Sequence, residues 1–295
     1  MNDDFIGQLR RQLVDAADRP PRLPVLALAW LRPALVTATV LAAIVVGVLA
    51  LGVPAGDDTP VATGDSVSFR MVGSDAEGTA AVLQDRLDAI GMTASVRADA
   101  GHVLVDLADD TPASRRTLDN LTRPGRLAMY DWEPNLVGEG PMSLQQATDL
   151  TERASGRSMV EHEGGWYVLK DTPALTNRHL ASAEQIIDRA TGDPGVALTF
   201  TDAGKTAFHD LTRDVARRGA ALAAPGVAAI DTAQHFAIVV DGRVTALPYI
   251  DYEENPNGVD GEGGAQITGG FTSQTARELA AVLDSGPLPG GLTRQ

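Results

Sequence analysis

HFAIVVDGRVTALPYIDYEENPNGVDGEGGAQITGGFTSQTARELAAVLDSGPLP, residues 235–289, carries the densest structural signal in the chain. Phe236–Val240 and Val244–Ile250 are apolar, β-branched runs on either side of Asp241-Gly242, a dipeptide that favours the positive φ angles of a two-residue hairpin. After a glycine-rich loop, Ala265–Thr268 reads as a further strand. Thr272 then caps a helix whose Ala276, Leu279, Ala280 and Leu283 share one face, and Gly286 ends it. The turn Gly269-Gly270-Phe271 before that cap is read as structural, its glycines permitting a close backbone approach.

Upstream, Val196, Leu198 and Phe200 alternate as a strand, and Ala207, Phe208, Leu211 and Val215 line a helix. A similar order occupies the region after residue 66. Val67, Phe69 and Met71 alternate as a strand, and Ser74-Asp75-Ala76-Glu77 has capping-box spacing. Ala76, Ala80, Leu83, Leu87 and Ile90 form a helical face closed by Gly91. Strands follow at Ala94–Ala98 and His102–Leu107 around Ala100-Gly101. Thr111-Pro112 opens a helix, Pro124-Gly125 turns the chain, and Arg126–Trp132 is a strand. The order β-α-β-β-α-β predicts a ferredoxin-like, α+β arrangement.

The middle is different in character, with Pro134, Pro141, Pro173 and Pro194 as punctuation and an isolated strand at Gly165–Lys170. A base built from both ends with an inserted head is therefore expected: base 66–132 and 195–291, head 133–194, tail 292–295. Trp132, Glu133, Pro134 and Pro194 mark the junction. Trp132, Trp166 and Tyr167 stand out in a chain only 4% aromatic. They read either as core packing at that junction or as an apolar surface for an extended polypeptide, which Trp166, Tyr167, Val168 and Leu169 would hold by edge pairing.

Localisation rests on Pro33–Val53, 21 uncharged residues dense in Ala, Val, Leu and Ile, enough to cross a hydrocarbon core as a helix. Arg19, Arg22 and Arg32 precede it and Asp57, Asp58 and Asp65 follow. Residues 1–32 are thus expected in the cytoplasm and residues after Val53 outside. A cleavable signal peptide is the rival reading, opposed by a 32-residue leader and an apolar core longer than the usual one. Arg10-Arg11 lies too far upstream for a twin-arginine signal. It decorates an expected amphipathic helix carrying Phe5, Ile6, Leu9 and Leu13, which Pro20, Pro21 and Pro24 would end. A linker, 54–65, joins the span to the domain.

The 295 residues hold 24 basic and 39 acidic side chains, for a net charge of −15. Residues 1–32 carry five arginines and four aspartates, leaving −16 on the rest. That balance argues against nucleic-acid binding, and with no cysteine there is neither a disulfide nor a thiol ligand or nucleophile.

Three fragments suggest chemistry and fall short. Gly204-Lys205-Thr206 lacks the earlier glycine of a phosphate loop, Thr199 standing there. Glu161-His162-Glu163 lacks the second histidine of a helical zinc pair. Asp251–Glu262 has oxygen donors at several calcium-loop positions, but Pro256 replaces the glycine, so an acidic hairpin loop is expected. His102, His162, His179, His209 and His235 are scattered, and no serine sits in a nucleophile elbow. No catalytic residue, metal or cofactor is expected.

Several long motifs together resemble the first periplasmic domain of SecD, the protein-export membrane protein that works beside the Sec channel, in its actinobacterial form. They are RLAMYDWEPN (126–135), WYVLKDTPALTN (166–177), GVALTFTDAGKTAF (195–208), HFAIVVDG (235–242) and the stretch 248–289. The resemblance covers about residues 66–291. It implies a first transmembrane helix leading into a ferredoxin-like base with a mobile head, the head touching the emerging preprotein, and therefore unfolded secreted polypeptide or Sec translocon components as partners. A complete SecD continues into five further transmembrane helices that carry its proton-linked machinery. No second apolar run follows here, so this polypeptide is expected to build no proton path. The leading expectation is a single-pass, non-catalytic accessory of Sec-dependent export. The alternative is an anchored sensing or protein-interaction module unrelated to translocation.

Overall fold

Seven α-helices, one short 3-10 helix (Asn177–His179) and fourteen strands build residues 66–295, all of which, residue 190 excepted, the computed structural model describes. In chain order they are β1 (Val67–Val72), α1 (Ala76–Ala89), β2 (Ala94–Asp99), β3 (His102–Leu107), α2 (Pro112–Leu121), β4 (Leu127–Asp131), α3 (Trp132–Asn135), α4 (Leu144–Glu152), β5 (Arg157–His162), β6 (Gly165–Lys170), β7 (Leu175–Thr176), β8 (Leu180–Ile187), β9 (Pro194–Phe200), α5 (Asp202–Ala221), α6 (Ala229–Thr232), β10 (Gln234–Val240), β11 (Arg243–Ala246), β12 (Tyr249–Ile250), β13 (Ala265–Thr268), α7 (Ser273–Asp284) and β14 (Gly291–Arg294). The expected membrane span at Pro33–Val53, the segment before it and the linker lie outside the described residues. Among the described residues no helix is long and apolar enough to cross a membrane.

The first sheet is antiparallel in the order β14-β1-β3-β2. Val67, Phe69, Val103 and Val105 point to one face and pack against Leu83 and Leu87 of α1 and Leu118 and Leu121 of α2. Each such leucine, fully buried, contributes about 1.5–3 kcal/mol. Local chemistry sets the elements. Thr111 accepts from Ser114 N at the start of α2, and Ala100-Gly101 turn at φ +45° and +83° between β2 and β3. At α1 the cap is Asp75, whose carboxylate accepts from Gly78 N at 2.8 Å, and not Ser74, because the helix begins one residue later than the capping-box spacing suggests.

Arg126–Trp132 does not close this sheet, as the β-α-β-β-α-β reading expects. Gly125, at φ +78°, turns the chain away, and β4 joins a seven-stranded sheet ordered β6-β5-β11-β10-β4-β7, with β12 on β10. Its Leu127 and Met129 are thereby buried in the larger core beside Phe236 and Ile238. The place beside β1 goes to β14, which the sequence reading treated as tail. The order at the chain's end also splits: β9 lies between β8 and β13 in a three-stranded sheet, while the β10–β11 hairpin, turning at Asp241-Gly242 as expected, belongs to the larger one. Gly165–Lys170 is not isolated but is half of a hairpin with β5. Strand pairing thus crosses the divisions drawn at 132 and 194, since β4 pairs with β7, β5 touches β11, and β8 pairs with β9, while β4–β10 joins the two parts assigned to the base.

Helix α7 ties the two cores together. Its Ala276, Ala280 and Leu283 enter the larger one and Ala281 and Val282 the smaller, as residues on two faces of one helix must. Thr272 caps it with Thr275 in a reciprocal box.

Candidate functional site

Of the aromatic residues singled out in the sequence, Trp132 and Tyr167 meet at one end of the seven-stranded sheet, while Trp166, next to Tyr167 along β6, is outside this cluster. Trp132, buried at the start of α3, lies 5.1 Å from the Tyr167 ring and 6.3 Å from that of His162. Tyr130, Trp132, Val160, Leu169, Ala237 and Val239 form a small apolar cluster there, with Tyr167 packed on it. Burial raises the pKa of Tyr167, with Glu163 adding to the rise. Val168 and Leu169 are fully buried, whereas Trp166 is half-buried.

The outer edge of β6, expected to be open for pairing, is hydrogen-bonded within the chain. Val137 N donates to Val168 O at 2.8 Å, Met142 N to Trp166 O at 2.9 Å, and Trp166 N to Met142 O at 3.0 Å. The segment 136–142 runs as a strap across this edge. Lys170 Nζ donates to Pro134 O at 2.8 Å, and Thr172 Oγ1 to Asn135 Oδ1 at 3.0 Å, fixing the strap's start. Ser143 and Gln146 form the capping box of α4 at its end. Strap and α4 together line an open groove of about 250 Å³ walled by Glu139, Met142, Gln146, Asp149, Leu150 and Arg153.

Of the junction residues, Trp132, Glu133 and Pro134 stay together, but Pro194 lies apart in the three-stranded sheet opposite Ile187. Glu133 accepts from His235 N at 3.1 Å, and its Oε1 lies 2.7 Å from His235 Nδ1. Beside it Asp131 holds Arg218 through a two-pronged ion pair. Burial pushes the Asp131 carboxyl above the ordinary aspartate range; Arg218 opposes the rise, and Glu133 and Asp214 reinforce it. A raised native value means the folded protein keeps a proton that the unfolded chain has released, so stability falls as pH rises through that value. Asp131→Asn is expected to remove this component. Denaturant midpoints followed from acid to neutral pH should decline more for the wild type than for the variant, and parallel profiles would refute the assignment.

Gly269 and Gly270 are needed for their φ angles of +98° and +71° and not, as expected, for a close approach, since an added Cβ at either would meet nothing within 4 Å; Phe271 beside them packs on the larger core ahead of Thr272. The acidic stretch after Asp251 is a loop whose carboxylates are largely exposed while Tyr252 and Val259 are buried in the larger core; in it Asp251 Oδ1 accepts from Glu253 N at 2.9 Å and Glu262 pairs with Lys205 at 3.0 Å. Glu161 pairs with Arg243 at 2.7 Å. Among the described residues no group of three His, Asp or Glu side chains is arranged to hold a metal ion.

Sequence reading missed the strongest polar contact set. Arg86, 0% exposed, sends its guanidinium from α1 to Leu121 O (2.6 Å), Arg123 O (2.6 Å), Gly286 O (2.7 Å) and Ser285 Oγ (2.9 Å). It therefore satisfies carbonyls that the C-termini of α2 and α7 leave unpaired. Burial lowers its pKa to about 10, with Asp241 acting in the other direction. Asp241 caps the same junction, its Oδ1 accepting from Arg126 N at 2.8 Å. The available signal was an arginine three residues after Leu83, on the buried face of the helix.

These features define a two-lobed α+β domain in which a small antiparallel sheet carries a larger lobe, inserted before its last strand. The same architecture occurs in solved SecDF structures. The SecDF structure in its super-membrane-facing form aligns at TM-score 0.53 and 23% identity, over 78% of this chain and 29% of that one. A second, described as a membrane component SecDF that enhances protein export, aligns at 0.51 and 24%, over 78% and 97%.

The chain belongs to the SecDF P1 head-subdomain family, whose model, SecDF, P1 head subdomain, matches residues 142–290. Similar curated proteins include protein translocase subunit SecD of Calditerrivibrio nitroreducens, 28% identical over 70% of this chain and 37% of that protein. SecD of Aquifex aeolicus is 25% identical over 72% and 36%, and SecDF of Brucella abortus 32% over 43% and 14%. The chain thus spans little more than a third of the curated relatives it matches, or less. The resemblance to SecD read from the motifs is confirmed at the level of the family.

Proposed function

We propose that this chain is a membrane-anchored SecD-type protein whose extracytoplasmic domain binds unfolded secreted polypeptide as an accessory of Sec-dependent export, without catalysis. The observation that carries the reading is the family match over the larger lobe together with the SecDF-like fold. In this reading Pro33–Val53 is an anchor, residues 1–32 are cytoplasmic, and the domain stands outside. The strand order β14-β1-β3-β2 supports a ferredoxin-like base formed by β1–β3, α1, α2 and β14, with the larger lobe as head. The polypeptide contact is placed at β6, on Trp166, Tyr167, Val168 and Leu169, where backbone pairing supplies affinity with little demand on sequence.

The test joins two measurements. Deleting the gene should slow export of several secreted proteins, and a photo-crosslinker at position 166 should capture their nascent chains. Unchanged export with no crosslink would remove the proposal.

A further inference from the structure

We infer that the segment 136–142 is an internal occupant of the β6 edge and that an extended polypeptide binds by displacing it. The inference rests on the polypeptide-binding reading above and adds to it a mechanism of access. A terminal strand presents a row of backbone donors and acceptors that templates pairing with another chain unless something covers it. β6 is such a strand, the last in the seven-stranded sheet.

The cover makes an incomplete hydrogen-bond ladder. Leu136 stands opposite Leu169 and Met142 opposite Trp166, so the strap takes six residue steps where β6 takes three. The surplus is taken up around Gly138, at φ +84°, and Glu139, both exposed, while Gly140 packs against the Tyr167 ring and Pro141 against Gly165. Pro141 has no N–H to offer. An incoming extended segment would match β6 residue for residue and make a fuller ladder than the strap does. Both ends of the strap are pinned, at Asn135 by Thr172 and at Ser143 by its capping box, so it can leave the edge as a loop without unfolding its neighbours. Its departure also reshapes the groove that Glu139 and Met142 share with α4.

The experiment uses the full chain and exploits its lack of cysteine. Leu136 and Leu169 face each other as a non-hydrogen-bonded pair, since the bond beside them runs from Val137 N to Val168 O, and this is the antiparallel position whose Cβ atoms approach closely enough for a disulfide. In Leu136→Cys/Leu169→Cys, oxidation locks the strap and reduction frees it in the same molecule. Met142→Pro removes the donor to Trp166 O and loosens the strap without a cross-link. The probe is a fluorescent, permanently unfolded polypeptide with blocked thiols, followed by anisotropy. Binding should weaken at least tenfold on oxidation and strengthen about fivefold in Met142→Pro. Equal affinity in the wild type, the locked form and Met142→Pro would overturn the strap's role while leaving polypeptide binding in place. No binding in any form would overturn both.

Discussion

Arg86→Met is expected to destabilise the fold by about 3–5 kcal/mol, because it leaves several carbonyl acceptors unsatisfied at once. The mechanism is specific. Methionine fills much of the aliphatic volume, so packing against α2 is largely kept, but the carbonyls of Leu121, Arg123 and Gly286 lose their donor inside the protein. A buried acceptor left alone costs about 1–3 kcal/mol. For a fold of this size that corresponds to a fall in Tm of about 10 °C or more, read by circular dichroism. Arg86→Lys should recover little, because three donors on a point charge cannot reach the carbonyls that a planar fork spans. Near-wild-type melting of Arg86→Lys would show that charge, and not geometry, is what the site requires.

Gly264→Ala should destabilise by about 2–5 kcal/mol through two independent effects. Gly264 sits at φ +69°, where an L-residue bears a backbone penalty of about 1–2 kcal/mol. An added Cβ would also lie 2.1 Å from Leu198 O, a backbone atom of β9 that cannot rotate aside. Relief requires β13 to shift along β9, which disturbs the Ala265–Leu198 pairing and the fully buried Ile267. Overpacking of this kind typically adds about 1–3 kcal/mol. Gly263→Ala, next door, is the control, for its Cβ would meet nothing within 4 Å and its φ is not in the left-handed range. A Tm for Gly264→Ala within two degrees or so of that control would defeat the argument.

What could be read from the sequence was local. Thr111 and Thr272 as caps, Ala100-Gly101 and Asp241-Gly242 as turns, and the alternation in β1, β3 and β9 all depend on residues within a few positions of one another. The partners of each strand do not. β4 pairs with β10 across more than a hundred residues, and nothing in LAMYD distinguishes that sheet from the one begun by β1. β5 and β8 passed unseen because RSMVEH and LASAEQII do not alternate cleanly; burial within them follows tertiary contact and not period. At the candidate site, Trp132 and Tyr167 were legible as partners at a junction, since both are large and apolar in an aromatic-poor chain. The strap was not, because Val137–Met142 is rich in glycine and proline and reads as loop, and its few hydrogen bonds to β6 leave no periodic trace.

The pairing of β14 with β1 has a mechanical consequence. The strands are antiparallel, with Phe69 opposite Arg294 and Gln295 N bonded to Ser68 O at 3.0 Å, so the first and last described residues leave the fold side by side. A pull applied between them would peel the two strands apart one hydrogen bond at a time, instead of shearing the whole ladder at once. The larger lobe, inserted between α2 and β14, lies off that line of force. Tension delivered through the ends would thus open the small sheet at its margin while the lobe that carries β6 and its strap hangs unloaded.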